Sequence, residues 1–207
     1  MRRVIFFVSI AVMIIVGGFG IWRTTSFNRQ SPADRAQALS SIPIEGKFSL
    51  IDHNGRAVTQ DDFRGKYTLV FFGYTYCPDV CPTALQDIGL IMDGLGVDAK
   101  KVVPLFVSID PERDTVEAMK DYVENFHPSI IGLTGSPNAV AAAAKSFHAY
   151  YAKVVPDKDE PDDYLMSHSA RLYLMGPDTK PVTYFQYGET VENMTKKIKG
   201  ILTHPKS

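Results

Sequence analysis

The sequence has little cysteine and almost no excess charge of either sign. Only two of its 207 residues are cysteines, and 22 lysines and arginines nearly balance 23 aspartates and glutamates. A net charge of −1 provides no basic stripe of the kind that nucleic-acid-binding proteins use, so we expect no nucleic-acid partner. The sequence shows no repeat of 20 to 50 residues, which argues against a solenoid. A hydrophobic fraction of 45% is ordinary for a folded domain.

One long uncharged run lies near the N-terminus, over residues 4–22. As a helix, these 19 residues would span about 28 Å, close to the hydrocarbon thickness of a bilayer. A cleaved signal peptide has a shorter apolar core followed at once by a small-x-small site, and this sequence lacks that site. We therefore expect an uncleaved membrane anchor over 1–23, a linker over 24–41 and one folded domain over 42–207.

The charges beside the run predict the orientation of the anchor. Arg2 and Arg3 precede it, and positive charge favours the cytoplasmic side. Arg23 and Arg29 on the far side weaken this bias. The predicted location is a single-pass protein of the bacterial inner membrane, with its domain in the periplasm. The mitochondrial inner membrane, with the domain facing the intermembrane space, is the alternative.

Apolar periodicity and turn residues predict the order of elements in the domain. A buried strand over 67–72 lies between Gly65 and Gly73, and an Asp-x-x-Glu capping box at 114–117 opens the second helix. The other predicted elements are a hairpin over 48–59, a helix ending near 95, strands over 102–109 and 130–133, a helix over 137–150, an acidic loop over 156–163, strands over 170–175 and 182–187, and a helix over 191–202. This order indicates an α/β fold, a thioredoxin-like three-layer sandwich with an N-terminal β-hairpin. A flavodoxin-like sheet is the main alternative.

The two cysteines lie in the segment Cys77-Pro-Asp-Val-Cys81, between a buried strand and a helix. The N–H groups and dipole at the start of a helix lower thiol pKa values. Cysteines four apart on a helical turn have Cβ atoms about 5–6 Å apart, whereas a disulfide requires about 3.5–4.5 Å. The spacing therefore favours chelation of a metal ion and leaves reversible oxidation open.

Two thiolates do not complete a metal site. Soft sulfur ligands select Cu(I), zinc or iron–sulfur clusters, but a cluster normally takes four sulfurs and structural zinc four ligands. Copper(I) accepts three ligands, and an imidazole is the natural third. The candidates are His53, His127, His148, His168 and His204. His168 directly precedes the strand over 170–175, which in a thioredoxin-like sheet runs antiparallel beside 67–72, so this geometry favours His168.

Two other functions remain open at this point. Thiol–disulfide oxidoreductases of this fold have a cis-proline just before that strand and usually a Cys-x-x-Cys motif. Here the spacing is Cys-x-x-x-Cys, and the nearest upstream prolines are Pro156 and Pro161. A thiol–disulfide reductase is thus the weaker alternative. An anchored binding module with an inert cysteine pair is the third.

Four motifs, in order, resemble those of the Sco/SenC family of copper proteins. They are Gly-Tyr-Thr-Tyr-Cys-Pro-Asp-Val-Cys-Pro at 73–82, Val-Ser-Ile-Asp-Pro-Glu-Arg-Asp-Thr at 107–115, Ile-Gly-Leu-Thr-Gly at 131–135, and Tyr164 with His168-Ser169. The resemblance implies a thioredoxin-like fold and copper held by Cys77, Cys81 and His168. It also implies a role in assembling the binuclear copper site on subunit II of cytochrome c oxidase, with that subunit or another cuproprotein as one partner and a copper donor protein as a second. In the reductase alternative, the protein would keep the cysteines of a cuproprotein partner reduced.

One residue departs from the family pattern. The position before the ligand histidine is commonly Asp in the family, and here it is Ser167, which bears on copper affinity or partner choice. Met166 is interpreted as a core residue, and the loop 110–114 as a loop-and-cap element with a possible partner surface. Three aromatic residues are expected to line the site or the core: Tyr74, Tyr76 and Tyr164.

Overall fold

The computed structural model describes residues 44–155 and 164–204. The predicted anchor over 1–23, the linker over 24–41 and the acidic loop over 156–163 with its prolines lie outside these described residues. Within the two described ranges, no helix combines the length and apolar character needed to cross a membrane.

A mixed seven-stranded sheet forms the centre of the domain. The elements in the described residues are β1 (Ser49–Asp52), β2 (Ala57–Thr59), β3 (Tyr67–Gly73), α1 (Val80–Leu95), β4 (Val102–Ser108), α2 (Val116–Val123), β5 (Ile131–Thr134), α3 (Pro137–Phe147), β6 (Tyr151–Val154), β7 (Leu165–His168), β8 (Arg171–Met175), β9 (Pro181–Gln186) and α4 (Val191–Thr203). The strand order in the sheet is β2-β1-β5-β4-β3-β8-β9, with β3, β4 and β5 parallel and the outer strands antiparallel. Short 3-10 helices span Gln60–Phe63 and Gly96–Lys101.

Helices cover both faces of this sheet, as the three-layer prediction requires. All seven residues of β3 are buried, and successive side chains on a strand point to opposite faces. Phe72 packs edge-on against Phe147 of α3, with 5.2 Å between ring centroids. Gly73, one residue further, faces Cys81 of α1 on the other side. The antiparallel β8 and β9 beside parallel β3 give the thioredoxin-like topology and rule out the flavodoxin-like alternative.

The N-terminal hairpin is confirmed, with its turn at Asn54-Gly55. Gly55 has a φ of +80°, a left-handed conformation that glycine adopts without strain. Oδ1 of Asp52 accepts hydrogen bonds from the backbone N–H groups of Asn54 and Arg56, both at 2.9 Å. Arg56 also pairs with the buried Asp52 carboxylate at 3.4 Å, so this carboxylate organises the whole turn.

Two predicted helix ends are wrong. The N-cap of α2 is Thr115, whose Oγ1 accepts from the N–H of Ala118 at 3.2 Å, because the Asp114 side chain turns into the core instead. Helix α3 ends at Phe147, three residues earlier than predicted. His148 follows in a left-handed conformation with φ of +54°, which ends the helix.

The sequence analysis missed one element, the hairpin of β6 and β7. These strands form a separate two-stranded antiparallel sheet in which Tyr151 pairs with His168 and Val154 with Leu165. His168 is therefore the last residue of a strand that the periodicity did not predict. The hairpin brings this residue towards the start of β8.

Candidate metal centre

Both cysteines lie where β3 gives way to α1. Cys77 precedes the helix and is half-buried, whereas Cys81 is the second helical residue and is fully buried. The backbone N–H of Cys81 donates to Cys77 Sγ at 3.4 Å. The Cys77 sulfur thus accepts a hydrogen bond at the start of the helix, as an N-cap side chain does. The spacing had predicted both cysteines on one helical turn, but only Cys81 lies in the helix.

His168 approaches this turn because β8 runs antiparallel beside β3, with Phe71 opposite Leu172. Its Nε2 lies 3.6 Å from Cys81 Sγ, and its Nδ1 lies 3.4 Å from the carbonyl oxygen of Ser169. A carbonyl can only accept, so Nδ1 carries the proton that this hydrogen bond requires. Nε2 is then the ring nitrogen on the side of the sulfurs, where it could bind a metal ion.

Aromatic rings fix the plane of the imidazole. The ring centroids of Phe71 and Tyr74 lie 6.1 Å and 6.2 Å from that of His168, both in edge-on arrangements. Tyr74 therefore lines the site as expected. Phe71 also lines the site, which the sequence analysis did not predict. Tyr76 is 63% exposed, and Tyr164 packs beneath Arg113 instead.

The donor atoms of these residues fit one small soft metal ion. The two Sγ atoms and one ring nitrogen all lie within 4.8 Å of one another. Bond lengths of roughly 2.0 Å to nitrogen and 2.3 Å to sulfur place two ligands of one ion about 3.5–4.5 Å apart. Two thiols and an imidazole form a donor set that suits copper.

Comparison with known proteins places the chain in a family. The SCO1/SenC family model matches residues 36–203. This chain belongs to the SCO1/SenC family. Among curated SCO proteins, it is 37% identical over 187 residues to the mitochondrial SCO2 homolog of Bos taurus, an alignment that covers 89% of this chain and 70% of the bovine protein. It is 43% identical over 156 residues to mitochondrial SCO1 homolog 1 of Arabidopsis thaliana, covering 73% of this chain but only 45% of the plant protein.

Solved SCO structures share the fold and include copper-bound forms. Bradyrhizobium japonicum ScoI with copper bound is 46% identical, with a TM-score of 0.69 and coverage of 76% of this chain and 98% of that one. Arabidopsis thaliana ScoI with copper bound is 39% identical, with a TM-score of 0.72 and coverage of 77% and 98%. The thioredoxin-like fold predicted from the sequence is confirmed.

The two thiols of this SCO1/SenC chain share their protons unequally. The hydrogen bond from the Cys81 thiol, helped by His168, lowers the pKa of Cys77 to about 3 against the opposing effect of burial. The same hydrogen bond and the deeper burial raise the pKa of Cys81 well above its ordinary value. The pair therefore releases one proton easily and retains the second.

Alkylation of the metal-free protein is expected to report this asymmetry. Because Cys77 is already deprotonated well below neutral pH, its rate with iodoacetamide should change little between about pH 5 and 8, whereas a thiol of ordinary pKa reacts roughly tenfold faster per unit in that range. Cys81→Ala removes the hydrogen-bond donor, raises the Cys77 pKa and restores the pH dependence. Peptide mass spectrometry measures both rates, and a tenfold rise per unit in the unmodified sequence would contradict the assignment.

Asp114 is a buried anchor for the cysteine turn. Its carboxylate accepts from Thr75 Oγ1 at 2.6 Å, from the Thr75 N–H at 3.2 Å and from Ser108 Oγ at 2.6 Å. Burial raises the pKa of this carboxyl. Asp110 is also buried. Asp114 is therefore not the predicted cap of α2, and its contacts tie β4 to the segment before Cys77. The partner surface at 110–114 stays a prediction.

The other four histidines have structural surroundings away from the cysteines. Nδ1 of His53 accepts from the N–H of Gly132 at 3.0 Å, which fastens the N-terminal hairpin to β5. Nδ1 of His127 lies 2.6 Å from Ser129 Oγ. His148 and His204 are the C-cap residues of α3 and α4. Of the five candidates, the structure brings His168 to the thiols.

Ser167 does not contribute to the orientation of the imidazole. It is exposed, whereas His168 is half-buried, in the alternation that a strand imposes. The residue at this position, commonly Asp in the family, thus faces away from the thiols. In this SCO1/SenC chain, the carbonyl of Ser169 and the rings of Phe71 and Tyr74 hold the histidine.

Proposed function

We propose that this chain is a copper metallochaperone that binds one copper ion through Cys77, Cys81 and His168. Its role would be to assemble the binuclear copper site on subunit II of cytochrome c oxidase. The main support for this proposal is that two thiol sulfurs and one imidazole nitrogen lie within 4.8 Å of one another. The copper-bound ScoI structures of two relatives support the choice of metal.

The chemistry of the donor set suits a protein that takes up and releases its metal. Thiolates favour Cu(I), and the added imidazole also suits Cu(II). The deprotonated Cys77 is ready to bind a metal ion, whereas Cys81 must lose its proton as the metal binds, so uptake is linked to proton release. The half-buried Cys77 lies on the accessible side and is the sulfur that a partner's ligand would meet first.

The proposed setting follows from the sequence and from the relatives. A 23-residue anchor and an 18-residue linker, over 1–23 and 24–41, would hold the domain near a membrane-bound oxidase and a copper donor protein. The Sco family is described as one of cytochrome c oxidase assembly proteins. Several relatives are mitochondrial, and one is the SCO2-like protein of Rickettsia felis, which is compatible with either the bacterial or the mitochondrial inner membrane.

Copper titration of the full chain, with His168→Ala as the comparison, tests the proposal. The unmodified sequence should take up one copper per chain and show sulfur-to-Cu(II) absorption. Its EPR spectrum should also show coupling to a ring nitrogen. His168→Ala keeps both sulfurs, so it should retain sulfur absorption, lose the nitrogen coupling and bind copper more weakly. His53→Ala is the matched control and should keep the coupling, because His53 contacts Gly132 rather than the thiols. Unchanged coupling in His168→Ala would refute the ligand set.

The reductase alternative is favoured by one observation, the pairing of an accessible low-pKa thiol at Cys77 with a buried thiol at Cys81. Such a pair also suits attack on a disulfide followed by resolution. This function predicts turnover of a protein disulfide without copper and a very negative reduction potential for the pair, whereas a thiolate as stable as that of Cys77 favours the reduced form and a less negative potential. Equilibration with glutathione buffers measures that potential, and an easily reduced disulfide would remove the alternative.

A further inference from the structure

The hairpin that carries His168 has little intrinsic support. Among the described residues, β6 and β7 pair with each other and not with the main sheet. An isolated two-stranded hairpin is marginally stable in water. Its base is fastened by the Ser169 N–H, which donates to the Tyr150 carbonyl at 2.9 Å. Tyr151 and Met166 pack against the hydrophobic core, and the remaining support of the hairpin comes from charged contacts.

Arg113, in the loop between β4 and α2, makes that contact through Tyr164. Its Nη1 donates to the backbone carbonyl of Tyr164 at 3.0 Å, and its guanidinium carbon lies 3.6 Å from the centroid of the Tyr164 ring. Its Nε donates to Oδ2 of Asp110 at 2.5 Å. The Tyr164 hydroxyl donates to Oδ1 of the same carboxylate at 2.8 Å. The Arg113–Asp110 pair thus holds Tyr164 by its main chain, ring and hydroxyl.

The same guanidinium also reaches the cysteine turn. Its central carbon lies 4.7 Å from the centroid of the Tyr76 ring. Tyr76 directly precedes Cys77, and Tyr164 directly precedes β7, whose last residue is His168. The Arg113 side chain therefore contacts Tyr76, next to the cysteine turn, and Tyr164, next to the strand that ends at His168.

Burial makes this contact stronger than the others on the hairpin. The side chains of Arg113 and Asp110 are 18% and 3% exposed, and charged hydrogen bonds strengthen where water is excluded. Lys153 also lies over the Tyr164 ring, 3.6 Å from its centroid, but its ion pair with Glu112 is exposed. Exposed pairs of this kind contribute little, so Arg113 provides the strongest of the charged contacts, beside the packing of Tyr151 and Met166 against the core.

We infer that Arg113 is a positioning residue, which holds the β6–β7 hairpin through Tyr164 so that His168 stays beside Cys77 and Cys81. The inference rests on the proposed function in one respect, the role of His168 as a copper ligand. A planar guanidinium is required because it donates two directed hydrogen bonds while stacking on two rings, which an ammonium group cannot do.

Hydrogen-exchange mass spectrometry on the metal-free full chain tests the inference without copper. In Arg113→Met, amides of β6 and β7 should exchange at least about tenfold faster, while those of β3 and β4 keep their protection. Arg56→Met is the matched control, because it removes another arginine paired with a buried aspartate, on the far edge of the sheet. It should leave the β6–β7 hairpin unchanged. With copper added, Arg113→Met should show weaker nitrogen coupling by EPR and an affinity reduced about 10–100-fold, the usual effect of losing support for a ligand.

The outcomes separate this inference from the proposed function. Unchanged exchange of β6 and β7 in Arg113→Met overturns the positioning role, even if copper binds normally. Failure of the unmodified chain to bind copper overturns the proposed function, while faster hairpin exchange would still support the positioning role. If Arg113→Met does not fold, Arg113→Lys can replace it, because lysine keeps the positive charge beside Asp110 but lacks the planar guanidinium and its two directed hydrogen bonds. Faster hairpin exchange in that variant supports the inference, and exchange equal to that of the unmodified chain overturns it.

Discussion

Replacing Cys81 with alanine is expected to abolish copper binding and the sulfur-to-Cu(II) absorption band. The Cys81 sulfur lies 3.6 Å from His168 Nε2, and the side chain is fully buried. Its removal leaves one thiol and one ring nitrogen, too few donors for the three-ligand site. Copper content per chain after gel filtration and the absorption spectrum measure the loss.

Met166→Leu is the matched control for this experiment. Met166 is another sulfur-bearing residue, two positions before His168 on β7, and it packs against the hydrophobic core. Leucine conserves its volume, and such exchanges usually cost less than about 1.5 kcal/mol. The variant should bind one copper with an unchanged band. A full copper content with an intact band in Cys81→Ala would refute the two-sulfur site, and loss of copper in Met166→Leu would point to a thioether ligand.

The central strand and the N-terminal turn were predictable because strong local patterns specify them. The apolar run over 67–72 is buried along its whole length as β3, and the Asn54-Gly55 turn forms where predicted. The position of His168 followed from one topological step, the antiparallel pairing of β8 with β3. Sequence patterns sufficed here because a central strand requires a run of apolar residues and a tight turn requires residues such as Asn-Gly.

The surroundings of the site were not predictable because long-range contacts determine them. Strand β7 is four residues with an exposed, half-buried alternation, too short and too polar to show a period of two. Asp114 has the spacing of a capping residue relative to Glu117, but its contacts with Ser108 and with Thr75, 39 residues away, turn it inward. A local pattern permits both arrangements, and tertiary packing selects one.

Gly73 illustrates the same limit at a single position. In the sequence it marks the end of an apolar run, which is an ordinary place for glycine. In the fold, a β-carbon at Gly73 would lie 2.7 Å from Cys81 Sγ and 2.7 Å from a ring carbon of Phe106. Glycine is therefore required because the buried thiol approaches the backbone of β3 closely. No local signal distinguishes these two reasons.

Gly73→Ala is accordingly expected to weaken copper binding strongly while leaving all three ligands in the sequence. Carbon atoms pack against their neighbours at about 3.5–4.0 Å, so the new methyl group must displace the Cys81 sulfur by roughly 1 Å. The Phe106 ring, buried within the core, leaves little room for the methyl group to move the other way. Overpacking of this kind typically lowers the free energy of unfolding by about 1–3 kcal/mol. We expect copper affinity to fall at least about tenfold, by analogy with the loss of other groups that orient ligands.

Two further glycine-to-alanine variants separate the geometry of the site from stability. Gly132→Ala places a β-carbon 2.5 Å from Met119 Cγ, so it should destabilise the fold by a similar amount without moving the thiols. Gly200→Ala, in α4, meets no described atom within 4 Å and should stabilise the helix by up to about 1 kcal/mol. Urea unfolding and copper titration of the three variants give both quantities. If Gly73→Ala and Gly132→Ala lose copper affinity equally, stability rather than the position of Cys81 governs binding. A loss confined to Gly73→Ala shows that the close approach of Cys81 to β3 sets the copper site.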